Sequence, residues 1–345
     1  MRLRSWVVQA RLREPMSSAY GEVRERPLVH VQLSDDDGLV GSGEAAPLPS
    51  YDGVGIDDVQ AALADCEPVL ARAAAGTPRA EILAACAHAA VLPQALAAID
   101  LSLWDLEGRR AGQPVWRLLG AEEAPSVEVN AMVAAPDRAG AAMAAGAARA
   151  AGFRCVKVKV GLGDDFGRIY AVRAVAGPAM AIRLDANGAW TVEEAVNALR
   201  VMAPADIECC EEPCSGLEAT RAVAAATSVP VALDESARLP GALGARVCTA
   251  VCLKISACGG ISGLLAAAER ARGAGYQVYL ASTLDGPLGI AAALHAAAVV
   301  RPERPCGLAT LDRFDARVDP LPPIAGCMAA PAGPGLGPGL ERWYK

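Results

Sequence analysis

Six charged residues stand out because each lies at the end of a short β-branched run: Lys157 and Lys159 in CVKVKV, Asp185 in AIRLDANG, Glu211 in IECCEEP, Asp234 in VALDES and Lys254 in VCLKIS. From Lys159 onward they are 26, 26, 23 and 20 residues apart, about one strand plus one helix each. Three carboxylates with no supporting His or Cys make a hard oxygen donor set that suits Mg²⁺, with Mn²⁺ able to substitute. A lysine beside another lysine and near a dication has its charged form disfavoured, which pushes its pKa toward that of a general base. The chemistry implied is removal of a proton from a carbon next to a carboxylate, with the cation holding the enediolate.

Such charges meet only if the strands run parallel and close on themselves. Helix-like segments separate the runs, and Thr191 to Met202 and Ser215 to Ala226 each open with a capping-box pattern, Thr191-x-x-Glu194 and Ser215-x-x-Glu218. Repeated βα units close most naturally into a (β/α)8-type barrel, whose reactive groups sit at the C-terminal ends of different strands. The expected strands begin at Ser126 to Ala134, continue through the five marked runs, and end with Gln277 to Thr283 and Cys306 to Leu311. In that closure Lys159 and Lys254 face each other across a floor of Asp185, Glu211 and Asp234. A period of two lets Lys157 and Lys159 both point inward.

Residues 1–120 read differently. SWVVQARL and PLVHVQLSDDDGLVGSGEA alternate and turn as a β-meander, with Asp37-Gly38 as a hairpin signal. Asp57 to Leu70, Arg79 to Leu92 and Pro93 to Arg110 follow as amphipathic helices. The expected division is an α+β unit over 1–120, a barrel over 121–318, and a Pro/Gly-rich tail over 319–345 that runs back over the first unit.

Composition narrows the partners. A net charge of −7 and a pI near 5.2 argue against nucleic acid. Runs such as Gly286 to Val300 fall short of the ~20 apolar residues that cross a bilayer. The eleven cysteines lack paired C-x-x-C spacing and read as free thiols in a reducing cytoplasm. MRLRSWVVQARLRE has no apolar signal-peptide core. The expected partner is a small carboxylate, and the sequence allows a homo-oligomer. His30, His88 and His295 lie away from the strand ends and read as structural. Alternation turns Glu212 and Glu235 away from the mouth. Asn187, Ser282 and Asp285 are candidates for substrate contact, and Asn187 also fits as the former of the Ala186-Asn187-Gly188 turn.

KVKVG, RLDANGAW, EEPC, LDES and LKIS resemble the barrel motifs of the enolase superfamily, muconate-cycloisomerase branch. Ala97 to Gly120 is similar to the helix joining its capping domain to its barrel, and Gly43 to Gly53 resembles the end of the capping sheet. The resemblance covers most of the chain. It implies Lys159 as base, Lys157 as its electrostatic neighbour, Lys254 on the opposite face, and Asp185, Glu211 and Asp234 as Mg²⁺ ligands. Lysine bases working with Mg²⁺-stabilised intermediates are that superfamily's general pattern, so the mechanism comes from the family as much as from the spacing.

STLDGPLG and PCGLATL look most like the o-succinylbenzoate synthases, dehydratases of menaquinone biosynthesis. The rivals are dipeptide epimerases, N-acylamino-acid racemases and a catalytically silent metal-binding scaffold. Epimerases grip the substrate's amino group with a DxD-type pair, whereas this chain offers Asp285 alone, then Asp312 and Asp315. Specificity in this architecture would come from capping-domain loops, here Ser17 to Arg26 and Leu48 to Val54.

Overall fold

A computed structural model describes residues 1–18, 21–74 and 76–345. The first unit is a three-stranded antiparallel sheet, β1 (Arg2–Ser18), β2 (Gly21–Ser34) and β3 (Val40–Ala45), backed by helices Ile56–Arg72, Arg79–Ala89 and Pro93–Ala111. The loop expected over Ser17 to Arg26 is mostly strand. β1 and β2 stay paired to Ser18 and Gly21, with a register shift between Arg11 and Met16, and Ala19 and Tyr20 lie outside the described residues. β3 presses against helix Pro93–Ala111 so closely that a Cβ on Gly41 would sit 2.1 Å from the Ser102 carbonyl oxygen.

The expected first barrel strand is split. β4 (Ser126–Glu128) pairs with the C-terminal β12 (Cys327–Ala329), and β5 (Ala131–Val133) opens the barrel sheet. The sheet continues in parallel through β6 (Cys155–Lys159), β7 (Ala181–Asp185), β8 (Ile207–Glu211), β9 (Val231–Leu233), β10 (Ala250–Lys254) and β11 (Gln277–Ala281). It has seven strands. The expected eighth, Cys306 to Leu311, is not a regular strand; it closes the ring by single parallel bridges, Ala281 to Gly307 and Val129 to Cys306. Gly307 N–H donates to the Leu280 carbonyl at 2.8 Å and Asn130 N–H to that of Cys306 at 2.9 Å, so both flanking edges are satisfied.

Every residue of β6 and β10 is buried, as expected of parallel strands covered on both faces. Val156, Val158, Val251 and Leu253 alternate outward to the helical ring, while Cys155 and Cys252 share the inward parity of the lysines. All eleven cysteines are free, and nine are buried. The Thr191 capping box forms, but the helix after β8 starts at Leu217 with Gly216 as its N-cap. Ser215 instead donates to the Gly188 carbonyl at 3.4 Å. No helix among the described residues is long and apolar enough to cross a membrane.

The tail binds the first unit and the barrel alike. Leu336 N–H donates to Asp105 at 2.8 Å, the Trp116 indole donates to the Pro331 carbonyl at 3.0 Å, and the Tyr344 hydroxyl bonds Glu44 at the end of β3. Arg26, fully buried between the sheet and the barrel mouth, donates to the carbonyls of Thr283 at 2.9 Å, Ala46 at 2.7 Å and Pro47.

Candidate active site

Register builds the site. Lys159 pairs with Asp185 and Asp185 with Glu211, so three charged ends stand in one row across β6, β7 and β8. That row depends on a shift between Ile182 and Arg183, where Glu208 is the extra residue. An unshifted β8 would bring Cys210 level with Asp185 and turn Glu211 to the other face. Asp234 follows β9 directly, and Lys254 ends β10 across the mouth.

The carboxylates of Asp185, Glu211 and Asp234 are buried and offer one oxygen each within 4.8 Å of one another. Lys159 Nζ donates to Asp185 at 2.7 Å and to Asn187 Oδ1 at 2.6 Å. Lys157 Nζ reaches Asp185 at 2.9 Å and contacts Glu211. Lys254 Nζ lies 2.6 and 2.9 Å from the two oxygens of Asp234. Glu211 Oε1 is buried without a hydrogen bond, with Arg183 Nη1 3.5 Å away. Three buried carboxylates converging on one point, with no nitrogen or sulfur donor among them, fit a hard divalent cation.

The charges govern one another. Burial would push the Asp185 carboxyl up, but Lys157 and Lys159 outweigh it and hold the group below the usual carboxylate range. Burial would likewise lower the ammonium groups of Lys157 and Lys254. The nearby carboxylates reverse that for both: Asp185, Glu211 and Asp234 raise Lys157, and chiefly Asp234 raises Lys254. Against three carboxylates, repulsion from a neighbouring lysine is the weaker influence until a dication takes up the carboxylate charge.

The remaining candidates separate. Asn187 makes the turn, with a φ of 46°, and its side chain lines the pocket, bridging Lys159 to Glu235 and donating to the latter at 2.8 Å. Ser282 lines the pocket and shares a 3.0 Å hydrogen bond with Thr310. Asp285, expected at the substrate, instead turns beneath the mouth, where it accepts from the Thr283 hydroxyl at 2.6 Å and lies outside the pocket wall. Burial pushes its carboxyl up, against the Thr283 bond and the charge of Arg26. Glu212 faces away and accepts from Asp234 N–H at 2.8 Å and Ser236 N–H at 3.2 Å, which sets the loop carrying Asp234. The histidines are structural. His30 stacks on Tyr344 and meets the Trp6 ring edge-on, His295 accepts from Trp116 N–H at 3.1 Å, and His88 bonds its own helix at Ala84.

Sequence reasoning missed Tyr51. Its hydroxyl donates to Asp234 at 3.0 Å, and its ring lies 3.8 Å from Lys254 Nζ. The only sequence signal was its place in PLPSYDG, within an expected specificity loop. Met16, Val23, Leu48 and Ser50 from the first unit also line the pocket, facing Met132, Leu284, Ala309 and Thr310 of the barrel.

Comparison with known proteins agrees with this arrangement. The model for the N-terminal domain of mandelate racemase and muconate lactonizing enzyme matches residues 3–120, and the enolase C-terminal domain-like model matches 139–342. The chain belongs to the enolase superfamily.

Among this superfamily chain's relatives, the L-Ala-D/L-Glu epimerase of Bacillus subtilis is 32% identical over 84% of this chain and 82% of its own. The o-succinylbenzoate synthase of Thermobifida fusca is 34% identical over 59% of this chain and 66% of its own. The structure of the Bacillus epimerase with substrate bound superposes with a TM-score of 0.89 at 28% identity, covering 98% of both chains. The dipeptide epimerase of Cytophaga hutchinsonii, complexed with Mg and D-Ala-L-Val, does so at 0.88 and 25% identity, over 98% of this chain and 95% of that one. The chain is thus a member of a superfamily of metal-dependent enzymes, with a capping domain over a parallel barrel and an acidic triad suited to a metal.

Proposed function

We propose that the protein is a Mg²⁺-dependent dehydratase of the o-succinylbenzoate synthase type, with Lys159 as base and Lys157, Lys254, Asp185, Glu211 and Asp234 completing its site. One observation carries the choice among superfamily reactions: the pocket wall built from the ends of β11 and the closing segment is hydroxylic and apolar. Ser282, Thr283, Thr310, Ala281, Leu284 and Ala309 form it. Asp285 is tied to Thr283 beneath it, and Asp312 and Asp315 are exposed. A substrate ammonium would find no carboxylate partner on that wall, and a buried unpaired charge is costly. A cyclohexadiene carboxylate carries no such group.

In this reading the substrate carboxylate lies over the triad, where a divalent cation would supply the positive charge that stabilises the enediolate. Lys159 takes the proton from the adjacent carbon. The C–O bond on the same face then breaks, and Lys159 returns its proton to the departing hydroxide, so water is lost. Asn187 holds the Lys159 ammonium from the side. Lys254, 2.6 Å from Asp234, supplies charge on the other face.

A 1,1-proton transfer on an N-acylated amino acid is the second reading. It is favoured by relatives that align over most of the chain, among them an N-succinyl-L-Arg/Lys racemase at 26% identity over 85% of it. Blocking the amine removes the need for a carboxylate partner. Lys254 discriminates the two, because racemisation requires the far-face lysine to exchange a proton whereas dehydration requires only its charge. Lys254→Arg keeps a cation that cannot deprotonate at working pH, so it should retain measurable dehydration of 2-succinyl-6-hydroxy-2,4-cyclohexadiene-1-carboxylate. Wild-type protein that racemises N-succinylamino acids or dipeptides with Mg²⁺, and leaves the cyclohexadiene untouched, overturns the first reading.

A further inference from the structure

We infer that Tyr51 is a positioning residue that hangs the metal ligand Asp234 from the capping domain, so that cation binding and ordering of the 48–54 segment are one coupled event. The inference rests on the metal-site reading above but not on the choice of substrate. Its basis is a continuous chain of contacts. Leu48 and Pro49 start a single helical turn, Pro49–Asp52, closed by Gly53 at φ 75°. The Asp52 carboxylate accepts from Leu48 N–H at 3.2 Å, Val54 N–H at 2.9 Å and the Gln94 side chain at 2.8 Å. Those bonds pin both ends of the turn to helix Pro93–Ala111. The turn aims Tyr51, nearly buried at 9% exposure, into the barrel mouth.

There the hydroxyl donates to Asp234 Oδ1 while the ring covers the Lys254 ammonium. Arg26 ends instead on the Thr283 carbonyl, and Ser256 and Thr283 on that of Ala46. Tyr51 reaches a carboxylate of the triad. Asp234 follows a three-residue strand and has a backbone at φ −126°, ψ −84°, outside the regular strand and helix regions. Asp234 is therefore held at three points: its backbone N–H by Glu212, and its carboxylate by Lys254 and by Tyr51. A carboxylate has lone pairs to serve a cation with one oxygen and a phenol with the other, and donors in this outer position orient a ligand for its metal.

The test is metal binding, followed without turnover. Mn²⁺ titrated into wild-type protein and into Tyr51→Phe, with free Mn²⁺ read by electron paramagnetic resonance, should show about 10- to 100-fold weaker binding in the variant. Phenylalanine keeps the ring over Lys254, so the loss would belong to the hydroxyl. In parallel, Mg²⁺ should slow amide exchange across residues 48–54 of the wild-type protein. Equal Mn²⁺ affinity in the two proteins overturns the inference, and so does 48–54 exchange that is indifferent to Mg²⁺. The exchange measurement needs no variant and decides the matter if Tyr51→Phe fails to fold. A wild-type protein that binds neither cation sinks the metal-site reading itself.

Discussion

Two clusters of buried carboxylates lie at the barrel mouth, and they are neutralised in opposite ways. Asp185, Glu211 and Asp234 face Lys157, Lys159 and Lys254, and the ammonium groups hold Asp185 ionised against its burial. Beneath the capping sheet, Glu44 and Asp285 share the neighbourhood of one cation, Arg26, with Lys254 a weaker influence on Asp285. Burial first, and the charge of Asp285 second, push the Glu44 carboxyl up to about 8, although the Tyr344 hydroxyl and Arg26 oppose them. One oxygen of each, Glu44 Oε1 and Asp285 Oδ2, is buried without a hydrogen-bond partner. The same side-chain chemistry is thus a charged site where cations match it and a proton store where they do not. That difference separates a cluster arranged to handle a cation from one that joins two domains.

Removing the cation side of the first cluster should have the largest effect. Lys159→Ala is expected to slow exchange of the substrate α-proton with solvent deuterium by about 10²- to 10⁴-fold, the usual contribution of a positioned base. Proton NMR of the substrate in D₂O measures this. Wild-type exchange in the variant would move the base elsewhere.

The second cluster should be visible in stability against pH. Glu44 ordinarily titrates near 4.5 and in the folded protein near 8. Its folded form therefore holds the proton more tightly, and the stability this contributes is present below pH 4.5 and lost as the pH rises to 8. His30 and His295 are pushed down to about 4, chiefly by burial. Their contribution has the opposite sense: it is present above pH 6.5 and lost as the pH falls toward 4. The range above pH 6.5 is thus free of the histidines. There, wild-type protein should lose about 2 kcal/mol between pH 6.5 and 8 relative to Glu44→Gln. Urea melts at both pH values measure the difference, and parallel pH profiles would mean that Glu44 is ionised throughout.

Asp285→Asn should give the smallest effect. It removes the like charge while leaving an oxygen for the Thr283 hydroxyl, so Glu44 should titrate lower, though still held up by burial. A midpoint that stays in place would mean burial alone governs Glu44 and that the two carboxylates do not interact.

The sequence by itself determined the parallel barrel, the six charged strand ends and their order, because a period-two pattern with charges at strand-plus-helix spacing has few closed solutions. It also determined the Thr191 cap and the free thiols, which are local matters. Tertiary structure alone decided the rest. Nothing local in IECCEE announces that Glu208 is extra, yet that one shift places Glu211 rather than Cys210 beside Asp185. Asp285 reads as a pocket residue because it follows β11 by four positions, but it is tied to Thr283 beneath the mouth, within the field of Arg26, 259 residues earlier in the chain. Cys306 to Leu311 has strand composition, yet in the fold it makes only the two bridges that close the ring. Tyr51 lies 183 residues from Asp234 and meets it only when the capping domain docks. Each of these is a pairing between distant segments, and side-chain partners at that range follow from how sheets and domains register, which no window of sequence encodes.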